Sequence, residues 1–448
     1  MASFPAPPLL PPDTGPVAAL EVLRWLRDPF RVLEYAQARH GDAFTLRIPR
    51  MPVVLLSKPE AIKDIFALSA DDADAGKSNA MLKPFVGEHS ILVLDGAEHL
   101  RQRKMMLPAF HGQRMQAYGR TMLEVTDDAI DRLPIGRAFP AHEPMQAVAL
   151  QIILRNVFGV AAGPRLGELA EAITAAIDAG AWPGLLFPQL QRDLGRFSPW
   201  GRYRRFASRL GAMLRAEIRS GRAHGTEGRT DVLALMLDAR DETGAPLSED
   251  ELHDELLTLL AAGHETTATA LAWTLRSLLP DAPLVRDLRA EIASAGGDPA
   301  RIAKLELLDG TVKEGLRLQP VFAMVSRTLR KPTSLGGLAL PAGVRVAPAI
   351  HLAHRNPALY PDPARFDPRR YATFKPAPWE WIPFGGGLRR CIGAAFATYE
   401  MKMVLAALLP RVDMRLATNR VRVARRSITL APSDGLPVIV DAKRPRAS

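Results

Sequence analysis

From Ser248 to Pro280 the chain contains a single helix breaker, Gly263. Ser248-Glu249-Asp250-Glu251 has the form of a capping box. In that motif the hydroxyl and the carboxylate three residues on each accept a backbone N–H of the other. A helix of about 30 residues reaches about 45 Å at 1.5 Å per residue. It would cross the molecule from side to side, and every other element has to pack around it. Gly263 in its interior costs roughly 1 kcal/mol against alanine. Either another helix approaches closely there or room is kept for a ligand.

The remaining pattern predicts a mainly helical fold. Amphipathic or apolar stretches without breakers cover residues 114–131, 144–157, 166–179, 204–221 and 284–293, and strand-like runs are short, at 42–48, 51–56, 326–329, 343–350 and 438–441. With 448 residues, 47% of them hydrophobic, the chain can bury a large core. No internal linker or repeat divides it, so residues 28–448 are expected to form one domain. Residues 1–27 are read as an N-terminal arm, extended over the proline cluster at 5–16. That segment lacks the basic start and long apolar run of a signal peptide. No run approaches the roughly 18 apolar residues of a spanning helix, so no membrane anchor is expected. The net charge of +10 comes from scattered arginines, apart from Arg202, Arg204 and Arg205, the run 420–426 and the tail 443–446. Nucleic-acid binding would want a dense basic stripe with interleaved aromatics and is not expected.

The only cysteine, Cys391, lies in Phe384-Gly385-Gly386-Gly387-Leu388-Arg389-Arg390-Cys391-Ile392-Gly393. One cysteine makes neither an internal disulfide nor a cysteine-rich zinc site. It is either a small buried hydrophobe or a ligand. The glycines would let the backbone pass close to a large flat group. A helix from Ala394 to Leu409, stopped by Pro410, would offer a thiolate its dipole and free N–H groups. No Gly-Lys-Ser/Thr follows and no strand-then-GxGxxG precedes, so phosphate and dinucleotide loops are set aside.

Phe384, Gly387, Arg389, Cys391 and Gly393 resemble, at five fixed positions in ten, the haem-binding signature Phe-x-x-Gly-x-Arg-x-Cys-x-Gly of cytochromes P450. Ala262-Gly263-His264-Glu265-Thr266 resembles the family's oxygen-binding segment. His264-Glu265 also begins a zinc-protease pattern, but the second histidine is replaced by Ala268. Glu314 and Arg317 resemble the family's Glu-x-x-Arg, and Arg370 in Phe366-Asp367-Pro368-Arg369-Arg370-Tyr371 its partner arginine, with Arg365 as the alternative register. On spacing alone Glu314 and Arg317 would read first as a surface ion pair. The resemblance runs from about Asp28 to Val440 and implies the P450 fold, a triangular helical bundle with small peripheral β-sheets.

It further implies a haem-thiolate monooxygenase that inserts one oxygen atom from O2 into a hydrophobic small molecule. Cys391 would be the axial thiolate of haem b. Arg389, His99, Arg103 and Arg327 would hold the propionates, and Ala262 and Gly263 would leave room over the ring. Glu265 and Thr266 would deliver protons. Glu314, Arg317 and Arg370 would form a buried network, and Phe85, Leu259, Val321, Phe322, Met324 and Leu436 would line the substrate pocket. Segments 260–273 and 379–387 are similar to a bacterial group with relatives in cyanobacteria and myxobacteria that oxidises fatty acids, terpenoids and similar molecules. Arg192 or Arg196, in an aromatic-rich lid at 181–206, could hold a carboxylate or simply face solvent. An iron–sulfur cluster would typically need four cysteines, so electrons are expected from a separate ferredoxin or flavodoxin with its NAD(P)H-dependent reductase. That carrier would dock on Arg101, Lys104 and Arg390. A cytoplasmic location follows from the likeness to bacterial members. A peroxide-using or isomerising haem-thiolate enzyme and a non-catalytic haem-binding protein are the alternatives.

Overall fold

The computed structural model describes residues 10–14, 18–47, 52–110, 114–160, 163–426 and 428–446. The long helix forms from Glu249 to Leu278. Its capping box closes, with Glu251 N donating to Ser248 Oγ at 3.1 Å and Ser248 N donating to Glu251 Oε2 at 2.7 Å. The second half of this helix, from Thr267 to Leu275, is buried all round. An element hydrophobic on every face belongs in the middle of a core. Around it pack the helices His142–Val157, Pro199–His224, Glu306–Leu318 and Ala394–Arg411. Their apolar faces and those of Arg114–Arg132, Pro164–Gly180 and Ala282–Ser294 merge into one large cluster.

The strands are peripheral. Five form a sheet in the order Ala43–Leu46, Val53–Leu56, Arg345–Pro348, Arg327–Leu329, Ala73–Asp74, with only the second and third running parallel. Ala138–Pro140, Pro437–Lys443 and Val412–Leu416 make a three-stranded sheet, and Val423–Arg426 with Thr429–Pro432 a hairpin. Among the described residues no helix is long and apolar enough to cross a membrane.

Three differences from the sequence reading have physical causes. Residues 1–9 and 15–17 of the expected arm lie outside the described residues, and its end is a helix, Ala18–Arg27. That helix docks through Trp25, whose ring lies 5.7 Å from the Arg425 guanidinium. The helix after Cys391 carries Pro410 inside its last turn and ends one residue later, at Arg411. A Cβ built on Gly263 would stand 2.6 Å from Ile153 Cδ1 of the neighbouring helix. Close helix packing, not space over a ligand, is therefore what this glycine serves.

Candidate active site

The Cys391 loop owes its shape to two left-handed glycines, Gly385 at φ 64° and Gly387 at φ 62°. Cys391 N donates to Phe384 O at 3.0 Å and Arg390 N to Gly387 O at 3.1 Å, closing the turn. A Cβ on Gly387 would overlap the carbonyl oxygen of Phe66, the penultimate residue of the helix Pro59–Ala67, and one on Gly386 would strike the Phe66 ring. Gly386 and Gly387 thus make way for that helix, whereas the sequence suggested a passing ligand. A left-handed non-glycine residue costs about 1–2 kcal/mol before any clash. Gly387→Ala is expected to lower the unfolding free energy by at least about 2 kcal/mol, measured as a urea midpoint shift at constant slope. Gly393 caps the next helix, and a Cβ there would point into open space.

Cys391 is exposed yet closely surrounded by protein atoms. Burial pushes its thiol pKa up, while the Gly393 N–H and the positive Arg103 and Arg390 pull it down less strongly. Unaided, the thiol stays protonated at neutral pH. A metal ion would displace that proton. Ala261 and Ala262 are also exposed, midway along a helix whose neighbouring residues are largely buried.

Four cation-capable side chains converge near the cysteine. A small hollow of about 20 Å³ is lined in part by His99, Arg327 and Arg389. His99 is buried, and burial together with Arg389 and Arg103 drops its pKa to about 3, so it is neutral. Burial and the charge of Arg389 lower Arg327 to about 10. Arg103, half-buried, lies close enough to feel Cys391 and Arg390. Arg389 donates to Ile91 O at 3.1 Å, to Leu94 O and to Asp95 Oδ1. Arg327 donates to Ile65 O at 2.6 Å and Gly386 O at 2.7 Å. Positive groups crowded together with so little compensating charge suit a ligand carrying carboxylates.

Glu265 and Thr266 sit on the long helix one residue apart. Thr266 Oγ1 donates back to Ala262 O at 2.5 Å. Glu265 is half-buried, and desolvation raises its pKa against the opposing pull of Arg426, Gln146 and Thr269. Gln146 Nε2 donates to Glu265 Oε2. Sequence reasoning missed Gln146, His142 and Arg426 around this acid, because they come from two other elements, and passed over Thr269 one turn on in the same helix. Only the Arg426 charge was visible, as one of a basic run.

Glu314 and Arg317 are fully buried, and their ion pair is bidentate at 2.8 Å on both arms. Arg370 Nε donates to Glu314 Oε1 at 3.0 Å, and so does Asp367 N at 3.0 Å. Arg317 Nη1 also holds His354 O at 2.7 Å and Pro363 O at 2.8 Å. Arg365, the alternative partner, contributes only its carbonyl oxygen, at 3.2 Å from Arg317 Nη2.

The expected pocket residues are not all alike. Phe85 meets Trp200 edge-on at 6.0 Å and Tyr203 at a tilt at 5.0 Å, both within the lid segment. Leu259 and Phe322 are half-buried against the main core, Val321 is buried in it, and Met324 packs against a different cluster. Leu436 is completely buried in the main core, at the end of a turn where its φ is +60°. Arg192 is exposed, and the Arg196 side chain lies outside the described residues. The expected basic docking patch also changes. Arg101 is neutralised by Asp241 at 2.6 Å and Glu251 at 2.7 Å, and Lys104 by Glu242 at 2.6 Å. Both project from the face of Gly96–Met106 that meets the loop before the long helix. Arg390 stays exposed beside a surface hollow of about 200 Å³ that Trp381 and Phe384 also line.

The sequence model of the family described as cytochrome P450 matches residues 11–433. The chain belongs to the cytochrome P450 family, and is thereby a haem-thiolate monooxygenase that uses dioxygen. Among its relatives is cytochrome P450 135B1 of Mycobacterium tuberculosis and Mycobacterium bovis, 38% identical over 439 residues, 97% of this chain and 92% of that one. Cytochrome P450 138 of Mycobacterium tuberculosis is 35% identical over 446 residues, 98% of each chain. A solved structure, the retinoic acid-bound cyanobacterial CYP120A1, superposes with a TM-score of 0.85 at 26% identity, over 97% of this chain and 99% of that one.

Proposed function

We propose that the chain would hold haem b through the Cys391 thiolate, and that the enzyme hydroxylates an apolar molecule ending in a carboxylate. The observation that carries the cofactor reading is the convergence of His99, Arg327 and Arg389 on one hollow, with Arg103 beside the thiol. These groups would bind the two propionates. A neutral His99 still gives one N–H to a carboxylate, and the arginines supply charge-assisted bonds. Bound there, haem supplies dioxygen activation, aided by the electron density of a thiolate ligand. The chain's own part is to position and to move protons. Ala262, small and exposed, would leave room for the bound cofactor. Thr266 places a hydroxyl there, and Glu265, whose pKa burial raises, would pass protons to it.

The apolar character of Phe85, Leu259 and Phe322 supports a hydrophobic substrate. The retinoic acid in the cyanobacterial structure supports a terpenoid or fatty acid. With one cysteine in the chain, electrons come from a separate ferredoxin or flavodoxin and its NAD(P)H-dependent reductase. That carrier docks beside the exposed Arg390. The test titrates retinoic acid and palmitic acid, each against its alcohol, and reads the Soret shift from low to high spin. It then follows turnover with ferredoxin and reductase, or with hydrogen peroxide alone. A shift with the acids and reductase-dependent product are expected. Shifts only with the alcohols overturn the carboxylate. Product from peroxide alone overturns the electron-transfer reading.

A further inference from the structure

Beyond Glu265 a row of polar side chains leads out to solvent. Arg426, exposed at the end of the strand Val423–Arg426, lies with Nη1 3.4 Å from His142 Nδ1. A guanidinium only donates, so Nδ1 accepts and the ring proton sits on Nε2. Nε2 in turn is 3.1 Å from Thr269 Oγ1 and 3.6 Å from Glu265 Oε1. Thr269 Oγ1 donates onward to Glu265 Oε1 at 3.5 Å. His142 and Thr269 are both completely buried. The backbone fixes the histidine, since Ala141 N and His142 N donate to Leu436 O and Gly435 O, each at 2.9 Å.

Resting on the reading of Glu265 as the proton donor, we propose that His142 and Thr269 relay protons to it from solvent at Arg426. A solvent proton binds Nδ1 as Arg426 moves aside. The Nε2–H bond then breaks as Thr269 Oγ1 gains that proton, and the Thr269 hydroxyl proton passes to the Glu265 carboxylate. Glu265 ends protonated, Thr269 unchanged, and His142 neutral with its proton on Nδ1, from which it resets by tautomer exchange. The charges facing His142 are Arg426, Glu265 and the ring of His264, and those facing Glu265 are Arg426 and Asp178. Burial, Arg426 and His264 hold His142 at about 4 against the opposing pull of the Gln146 side chain, which also bonds Glu265, whereas burial raises Glu265, so the proton moves downhill.

The experiment uses the full chain loaded with haem, comparing His142→Gln, Thr269→Val, Thr269→Ser and Glu265→Gln. Thr269→Val is close to isosteric and guards against a folding artefact. Product formed per NAD(P)H should fall roughly tenfold or more in the first two, the low edge of a general acid–base effect. Hydrogen peroxide should rise to match, with an altered D2O effect, and Thr269→Ser should restore coupling. Independently of turnover, ¹⁵N NMR of the His142 ring should show the Nε2–H tautomer. An Nδ1–H ring, or unchanged coupling in both His142→Gln and Thr269→Val while Glu265→Gln uncouples, overturns the relay alone. If Glu265→Gln leaves coupling intact as well, the acid itself was misassigned.

Discussion

Cys391→Ser is expected to abolish the red-shifted Soret band of the ferrous carbon monoxide complex and to take dioxygen-dependent turnover below detection. The hydroxyl is too weak an acid to replace the thiolate. The surroundings of Cys391 already push even the thiol toward its protonated form, so a serine there would be neutral. The loop turn rests on the Phe384 and Gly387 carbonyls rather than on the sulfur, so the variant should fold. A folded variant that keeps the band would remove Cys391 as the ligand. A wild-type protein with an ordinary haem–CO spectrum would do the same.

Glu314→Gln should produce the largest loss of stability, roughly 3–5 kcal/mol, the usual result of stripping one partner from a buried ion pair. Two guanidinium groups and the Asp367 N–H share this single carboxylate. Total stabilities run to only about 5–15 kcal/mol, so much of the protein's reserve would go. The expected observation is a large fall in urea midpoint, insensitive to salt because water and ions do not reach the pair. A midpoint within about 1 kcal/mol of wild type would mean that the arginines find other acceptors.

Much of this was legible in sequence because the chemistry is concentrated in short motifs. The capping box, the Cys391 turn and the Glu314–Arg317 spacing are each local and were readable as strings. Direction was not. Nothing in the sequence says that Gly263 faces Ile153, that Arg101 reaches Asp241, or that Leu436 turns into the core. Those outcomes depend on helix rotation, which packing of distant segments decides. His142 and Arg426 are 284 positions apart, and only the tertiary fold makes them neighbours. The Ala18–Arg27 helix was hidden by the prolines just before it, although its Trp25 is the kind of anchor that docks a terminal helix.

Arg389 and Arg327 do more than present charge. Each already rests on main-chain carbonyls, of Ile91 and Leu94 in one case and of Ile65 and Gly386 in the other. A side chain so held gives up little rotational freedom when a ligand arrives. Pre-organisation of this kind removes an entropic toll of about 0.5–1.5 kcal/mol for each long side chain that binding would otherwise freeze. If these arginines hold the proposed haem, the cradle is rigid before its guest enters, which would favour slow release of the cofactor through many turnovers.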